Sequence, residues 1–175
     1  IGRAAATRLA EEGAIVTIAE FDAANGQAVA EELGGDAAFV EHDVREEASW
    51  QNLMKSVADR HGRPDILVNN AGILATNNNQ ELAVTDLEQW RAVQQVNVEG
   101  VFLGCKYGVD AMIANGGRAK GGAGGGAIVN MSSIAGLVAT AHLVAYGASK
   151  GAVRQMTKSV AIDCAKKGLG IRCNS

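Results

Sequence analysis

The feature of this sequence that most constrains its fold is a regular alternation of short apolar runs with longer segments whose apolar residues recur at helical spacing. Residues 14–19 form one such run, and a run of this length is typical of a strand buried on both faces. Residues 146–166 place Val153, Met156 and Val160 at a period of about 3.6, which predicts an amphipathic helix. The alternation favours one α/β domain with a doubly wound parallel sheet, whose ligands gather at the carboxyl ends of the strands.

The same patterns predict an ordered series of elements along the chain. Helices are expected at residues 2–12, 23–33, 47–60, 86–113 and 146–166, and strands at residues 14–19, 37–40, 66–68, 127–131 and 171–175. The fourth helix is expected to break near Asn97. Its buried stripe is predicted to consist of Val101, Phe102, Cys105, Val109 and Met112. The glycine-rich residues 115–126 predict a mobile loop, and because this loop leads into a strand, a phosphate-binding role is not favoured.

Charge and hydropathy limit the partners that this chain is expected to have. The formal net charge is −3, with acidic and basic residues interspersed, so no basic field for nucleic acid or anionic lipid is present. No apolar run approaches the roughly 20 residues of a membrane helix, and no segment resembles a secretory leader. We therefore expect a soluble, cytoplasmic protein that binds small molecules, with neither nucleic acid nor membrane as a partner.

The cysteines and histidines show no pattern that indicates a metal site. Cys105, Cys164 and Cys173 are odd in number and widely spaced, which argues against a disulfide framework and against a metal cluster. They are predicted to be buried, reduced thiols, because a free cysteine packs as a small hydrophobic residue.

The strongest chemical signal is the set Ser133, Tyr146 and Lys150. Tyr146 and Lys150 are four residues apart on a predicted helix, so they share one face and can address one site. The spacing alone is common among surface pairs. Its context is more specific, because the pair follows a predicted strand that ends in two serines, and Asn69-Asn70-Ala71-Gly72 ends an earlier strand.

Taken in order, these motifs resemble those of the short-chain dehydrogenase/reductase family, whose fold is Rossmann-like. Ile1-Gly2 is similar to the end of the family's Thr-Gly-x-x-x-Gly-x-Gly loop, residues 69–72 to its Asn-Asn-Ala-Gly motif, and Asn97 to its helix asparagine. Residues 171–175 resemble the strand that leads into a Pro-Gly motif. The resemblance implies a partial domain, without the family's first strand and its C-terminal substrate loop. Residues 102–105 are similar to those of hydroxysteroid dehydrogenases.

The resemblance implies a catalytic tetrad of Asn97, Ser133, Tyr146 and Lys150. A free phenol has a pKa of about 10, and lowering it by roughly 3 units requires about 4 kcal/mol. A cation roughly 4 Å away at an effective dielectric of about 20 supplies a similar amount, so Lys150 is a plausible activator of a tyrosine base. The tyrosine would take the proton of an alcohol or return it to an alkoxide.

The other two tetrad members have competing structural roles. Ser133 would hydrogen-bond the substrate oxygen, although a serine here can also cap the following turn; Ser132 is the expected structural partner. Asn97 is implied in a water-mediated proton relay that reaches Lys150, and an asparagine inside a helix otherwise lowers helical propensity.

Glu20 predicts the cofactor preference. It lies at the end of a predicted strand, eighteen residues after Gly2, where a carboxylate can accept hydrogen bonds from ribose hydroxyls and would repel a 2′-phosphate. NAD is therefore expected in preference to NADP, and Phe21 agrees because users of NADP often carry a basic residue there. A solvated strand end is the alternative, and Asp22 is a second candidate for the ribose contact.

The remaining cofactor contacts come from the resemblance. Asp43 and Val44 follow a strand where the family contacts the adenine ring through the aspartate, although a turn-capping aspartate is the alternative. Backbone of Asn70, Ala71 and Gly72 would approach the adenosine ribose, since glycine permits close contact. Gly2, Tyr146 and Lys150 complete the predicted cofactor site, which contains no metal.

The expected function is an NAD-dependent interconversion of a secondary alcohol and a ketone, with a steroid or another cyclic alcohol as candidate substrate. The alternatives are an NADPH-dependent 3-oxoacyl-carrier-protein reductase and a non-catalytic nucleotide-binding regulatory protein. Family relatives pair into tetramers through the two long helices at residues 86–113 and 146–166, so a homo-oligomer is expected.

Overall fold

The computed structural model describes residues 1–74, 80–114 and 125–175, which alternate between helices and strands. The strands are β1 (Thr17–Glu20), β2 (Ala38–Glu41), β3 (Ile66–Asn69), β4 (Ala127–Asn130) and β5 (Arg172–Asn174). The α-helices are α1 (Gly2–Glu11), α2 (Ala23–Leu33), α3 (Glu47–His61), α4 (Leu87–Gln94), α5 (Gly100–Ile113) and α6 (Val144–Lys166). A π-helical turn, Gln95–Glu99, joins α4 to α5, and a 3₁₀ turn, Ile134–Gly136, precedes α6.

Strand pairing in this part of the chain is parallel. β1 pairs with β2, with Glu20 opposite Glu41. β4 lies between β3 and β5, with Asn69 opposite Asn130. Because all the paired strands run in one direction, their carboxyl ends meet along a common edge within each sheet. The predicted α/β architecture is confirmed, with the strands divided into a two-stranded and a three-stranded sheet.

The main core lies between the three-stranded sheet and helices α5 and α6. Strand residues alternate in burial, since Ile128 is fully buried while Val129 is exposed, as the period of two in a strand requires. The buried members of this core are Val101, Cys105, Met112, Ile128, Val153, Cys164, Ile171 and Cys173. The prediction of buried thiols is confirmed, because all three cysteines are free and buried.

Helix boundaries follow local signals in the sequence. Asp22 accepts a hydrogen bond from the Asn25 amide, 3.1 Å away, and so caps the N-terminus of α2. Asp86 caps α4 in the same way, through the Gln89 amide at 2.7 Å. Gly13 follows the end of α1 with a φ of 88°, a backbone conformation that residues other than glycine rarely adopt.

Several predicted boundaries are wrong in detail. β1 begins at Thr17 instead of residue 14, and α6 begins two residues before Tyr146. Phe102 does not belong to the buried stripe of α5, because 53% of its surface is exposed. The helix is not broken near Asn97 as predicted, because the backbone stays helical there; the irregularity takes the form of the π-helical turn, with Asn97 at its middle. Most of the predicted glycine loop, residues 115–124, lies outside the part of the chain that the structure describes.

Candidate active site

The first two turns of α6 carry the pair that the sequence singled out. Tyr146 and Lys150 lie one turn apart, and the Lys150 ammonium nitrogen is 5.6 Å from the centre of the Tyr146 ring. The two side chains therefore share one face of the helix, as the four-residue spacing predicts.

Lys150 is the buried member of this pair. Only 2% of the residue is exposed, and its Nζ donates a hydrogen bond of 2.7 Å to the carbonyl oxygen of Met131, just beyond β4. Burial lowers the pKa of Lys150 from its usual value, because the charged form loses solvation. The end of β4 thus holds a partly desolvated cation in one place.

Gly72 lies directly against this cation. A Cβ built on Gly72 would stand 3.3 Å from Lys150 Nζ and 3.3 Å from Asn97 Oδ1, so a side chain at this position would press on both groups. Glycine therefore permits the segment after β3 to approach them closely. Gly72, Asn97, Tyr146 and Lys150, which are far apart in sequence, are gathered in one place.

Asn97 is fully buried and is held from two sides. Its Nδ2 donates to the carbonyl oxygen of Ile73 at 2.9 Å and to Ser149 Oγ at 3.0 Å, while its Oδ1 accepts from the Ile73 amide at 2.8 Å. Ser149 Oγ in turn donates to the carbonyl oxygen of Tyr146 at 2.7 Å. Asn97 consequently links the segment after β3 to the first turn of α6.

The two serines after β4 have different partners. Ser132 Oγ donates to the carbonyl oxygen of Lys150 at 3.2 Å, which confirms the structural contact expected for it. Ser133 Oγ accepts from the Ala135 amide at 3.2 Å and so caps the 3₁₀ turn. This contact uses an acceptor site of the Ser133 hydroxyl and leaves its proton available for a substrate oxygen.

The end of β1 and the start of α2 place two carboxylates close together, those of Glu20 and Asp22. Glu20 is exposed, and its Oε1 accepts from the amides of Phe21 and Asp22 at 2.9 and 3.2 Å. Asp22 is engaged as the cap of α2, which leaves Glu20 as the better candidate for a ribose contact.

Asp43 has a partner that the sequence analysis missed. The Arg45 side chain donates to both carboxylate oxygens, at 2.9 Å from Nε to Oδ1 and 2.5 Å from Nη2 to Oδ2. This hydrogen bonding lowers the pKa of Asp43. The Arg45 guanidinium also lies 5.7 Å from the centre of the Phe21 ring. The two-residue spacing of Asp43 and Arg45 was the only sequence signal for this pair.

The other predicted cofactor residues divide between two places. Gly2, at the start of α1, lies beside Asn70, because a Cβ on Gly2 would be 2.7 Å from Asn70 Nδ2. The side chain of Val44 packs against Gly100, and its carbonyl oxygen accepts from Trp50 Nε1 at 2.9 Å. Ala71 is exposed between Asn70 and Gly72.

Comparison with known proteins decides the family. The family model described as short chain dehydrogenase matches residues 1–175. The chain belongs to the short chain dehydrogenase family. This confirms the resemblance given by the Asn-Asn-Ala-Gly and Tyr-x-x-x-Lys motifs, and with it the Rossmann-like fold.

Several relatives of this short chain dehydrogenase have curated names. An NADP-dependent (R)-specific alcohol dehydrogenase of Lentilactobacillus kefiri is 41% identical over 177 residues, which cover 100% of this chain and 66% of the relative. A 3-beta-hydroxysteroid dehydrogenase of Comamonas testosteroni is 38% identical, over 94% of this chain and 60% of the relative. A cyclopentanol dehydrogenase of Comamonas sp. is 41% identical, over 97% and 64%. The chain thus spans about two thirds or less of these relatives.

Three side chains beside the first turns of α6 were not predicted from the sequence. Gln80 and Gln94 bond to the backbone of the first turn of α6, and Ser149 joins Asn97 to it. Only Ser149 lies within a motif that the sequence singled out. In the described ranges no group of three His, Cys, Asp or Glu side chains could hold a metal ion, and no helix is long and apolar enough to cross a membrane.

Proposed function

We propose that this protein is an NAD-dependent oxidoreductase that interconverts a secondary alcohol and a ketone, with Tyr146 as the acid/base. The observation that carries the proposal is the position of Lys150. Its ammonium is buried, fixed on the Met131 carbonyl oxygen, and 5.6 Å from the Tyr146 ring on the same face of α6. A fixed cation in a poorly solvated site favours the negative charge of a phenolate far more than the same cation in water would.

In the oxidising direction, the Tyr146 phenolate oxygen takes the proton of the substrate hydroxyl as the alcohol becomes a ketone. Lys150 stabilises the charge on the phenolate, and the Ser133 hydroxyl donates to the substrate oxygen and orients it. A bound nicotinamide cofactor would supply the hydride acceptor for the alcohol carbon. In the reducing direction Tyr146 returns the proton. Asn97 fixes the backbone of Ile73 and, through Ser149, the first turn of α6. We propose that it also supports proton transfer between Lys150 and water.

The residues at the strand ends fit a dinucleotide. Gly72 and Gly2 provide places where the backbone approaches Lys150 and Asn70 without an intervening side chain. The exposed Glu20 carboxylate supports NAD, because it can accept from two ribose hydroxyls and repels a 2′-phosphate. Asp43, Val44, Asn70 and Ala71 would complete the adenosine side of the site. The Lentilactobacillus kefiri relative is named as NADP-dependent, so the choice of NAD rests on Glu20.

The substrate class that we propose is a secondary alcohol, with steroid and cyclic alcohols as the first candidates. Relatives named 3-beta-hydroxysteroid dehydrogenase and cyclopentanol dehydrogenase support this class.

The test is an activity assay on the whole protein with a panel of steroid, cyclic and acyclic secondary alcohols, with NAD and NADP compared. Turnover with NAD is expected to exceed turnover with NADP. Tyr146→Phe is expected to lower kcat by about 10²- to 10⁴-fold, because the proton acceptor is lost.

Tyr107→Phe is the matched control. Tyr107 is hydrogen-bonded to Glu47 and Gln51 at the surface, so its replacement by phenylalanine is expected to leave kcat unchanged. Unaltered turnover in Tyr146→Phe would contradict the mechanism, and a preference for NADP would contradict the role of Glu20.

A further inference from the structure

The N-terminus of α6 needs hydrogen-bond acceptors from outside the helix. The first amides of any α-helix have no acceptor within the helix, and a side chain just before the first turn usually provides one. In α6 that position is Leu143, whose apolar side chain provides none. Tyr146 is the third residue of this helix, so its amide is one of the groups in need of a partner.

Gln80, from a segment far away in sequence, provides two acceptors for this turn. Its Oε1 accepts from the Tyr146 amide at 2.8 Å, and its carbonyl oxygen accepts from the Val144 amide at 3.3 Å. Gln80 also forms an isolated parallel β-bridge with Leu143. Sixty-six residues separate Gln80 from Tyr146, so this is a helix cap supplied by tertiary structure.

The Gln80 side chain is itself fixed. Only 1% of Gln80 is exposed, and its Nε2 donates to the carbonyl oxygen of Leu74 at 2.5 Å. A primary amide is suited to this place, because it combines an acceptor for the Tyr146 amide with a donor for the Leu74 carbonyl. A buried amide with both ends satisfied holds its partners in one arrangement.

Lys150 and Tyr146 are held by contacts from different parts of the fold. Lys150 is held from β4, by the Met131 carbonyl oxygen and by Ser132. Tyr146 is held from the other side, by Gln80 at its amide and by Ser149 at its carbonyl oxygen. The position of the Tyr146 ring relative to the Lys150 ammonium therefore depends on Gln80.

We infer that Gln80 is a positioning residue for the reaction, which sets the place of Tyr146 against Lys150 through the Tyr146 amide. The inference rests on the proposed function of Tyr146. The hydrogen bonds described for Gln80 reach Leu74, Val144 and Tyr146 and do not reach Lys150 or residues 70–72. Its effect is therefore expected chiefly on the chemical step at the Tyr146 hydroxyl and to a much smaller degree on cofactor binding.

The first experiment compares Gln80→Met with the unmodified protein, as whole proteins. Methionine keeps the length and volume of the side chain and removes both hydrogen bonds. We expect kcat to fall by about tenfold or more, because misplacement by about 1 Å can cost about 100-fold. The KM for NAD is expected to stay within about twofold, and the midpoint of the acidic limb of the kcat profile is expected to move to higher pH.

A second readout does not need turnover. Hydrogen exchange of the Tyr146 amide, followed by NMR, is expected to be about fivefold faster or more in Gln80→Met, because the amide loses its acceptor. Gln89→Met is the control, since Gln89 is also a buried glutamine but lies on α4. It is expected to leave both the exchange of Tyr146 and the pH profile unchanged.

Gln80→Glu distinguishes the acceptor from general packing. It keeps an oxygen for the Tyr146 amide, where a carboxylate at a helix N-terminus is favourable. It also replaces the donor to Leu74 by an acceptor that faces the Leu74 carbonyl oxygen, so some loss of activity is expected. It is expected to keep the Tyr146 amide protected and to lose less activity than Gln80→Met.

The outcomes separate this inference from the proposed function. If the unmodified protein turns over no alcohol, the proposed function fails, while the exchange data still test the cap. If folded Gln80→Met keeps the kcat or the Tyr146 exchange rate of the unmodified protein, the inference is wrong. It is equally wrong if Gln80→Glu loses as much as Gln80→Met, or if Gln89→Met has the same effects.

Discussion

At the scale of single residues, the site combines a cation that is costly to bury with neighbours that hold it in place. Lys150 is almost fully buried, and its lowered pKa reflects the loss of solvation of the charged form. Its neighbours offer a carbonyl oxygen and a glycine, and no carboxylate is among the contacts described for it. Burying this cation lowers the stability of the fold, whereas the chemistry that we propose at the Tyr146 hydroxyl requires the cation at this place.

This cost predicts a pH dependence of stability. Because the pKa of Lys150 is lower in the folded protein, the unfolded chain binds more protons between that lowered pKa and 10.5. The free energy of unfolding of the unmodified protein, measured relative to Lys150→Met, is therefore expected to rise with pH in this window and to be constant below it. Urea denaturation between about pH 7 and pH 11 measures this difference.

Lys158→Met provides the comparison for the pH effect. Lys158 lies on the same helix, α6, and is exposed, so its replacement is expected to produce no such slope. A difference between the unmodified protein and Lys150→Met that does not change with pH would contradict the explanation by burial.

Single residues also show which contacts can be predicted from the sequence and which cannot. The cap at Asp22 is local, within three residues, and a sequence can reveal such contacts. The spacing of Tyr146 and Lys150 likewise follows from the period of one helix. The partner of the Tyr146 amide is 66 residues away, and a buried glutamine outside the helices and strands has no periodic pattern that would mark it. Gln80 therefore required the structure.

At the scale of elements, close contact between α5 and β3 depends on glycine. A Cβ on Gly104 would be 2.2 Å from Asn69 Oδ1 and 2.8 Å from Trp50 Cη2, so the helix could not approach the strand with any side chain there. The close contact at Gly104 places the end of β3, and with it residues 70–72, near α5.

Gly104→Ala is expected to lower the free energy of unfolding by about 1–3 kcal/mol, because the added methyl group overpacks this contact. Gly151→Ala, on α6, is the matched change, since its nearest neighbour would be the Gly136 carbonyl oxygen at 3.8 Å. It is expected to raise the free energy of unfolding by about 0.5–1 kcal/mol, because alanine favours a helix. Urea denaturation of both variants checks this, and equal effects would contradict it.

The elements were largely predictable, and their ends less so. The bounds of α2 are those that the sequence predicts, because Asp22 and Gly34 mark both ends. β1 begins three residues later than expected, since an apolar run does not reveal which of its residues pair with a neighbouring strand. The stripe of α5 included Phe102 by its apolar character, while the helix turns that side chain to the surface.

At the scale of the whole molecule, α5 and α6 each carry a large apolar side chain on the surface. Phe102 is 53% exposed and Ile162 is 56% exposed. Single exposed apolar residues are common in monomers, so exposure alone does not establish an interface. Together with the tetramers implied by the family resemblance, these residues support assembly through the two helices.

The whole protein is therefore expected to behave in light scattering as a particle of four copies. Phe102→Ser is expected to shift the protein towards smaller species, because an apolar contact is replaced by a polar side chain. Ile15→Ser changes a residue of similar exposure that belongs to neither helix and is expected to leave the mass unchanged. A monomer in the unmodified protein would contradict the assembly.

The π-helical turn at Gln95–Glu99 makes the length of this segment matter at Asn97 more than along the rest of the helix. Such a turn holds one residue more than a regular α-helical turn, while the α-helix on either side keeps its direction. A one-residue deletion within the turn is therefore expected to let the segment close as regular α-helix, so that Gly104 still faces β3. The same deletion is expected to turn the side chain of Asn97 away from the backbone of Ile73.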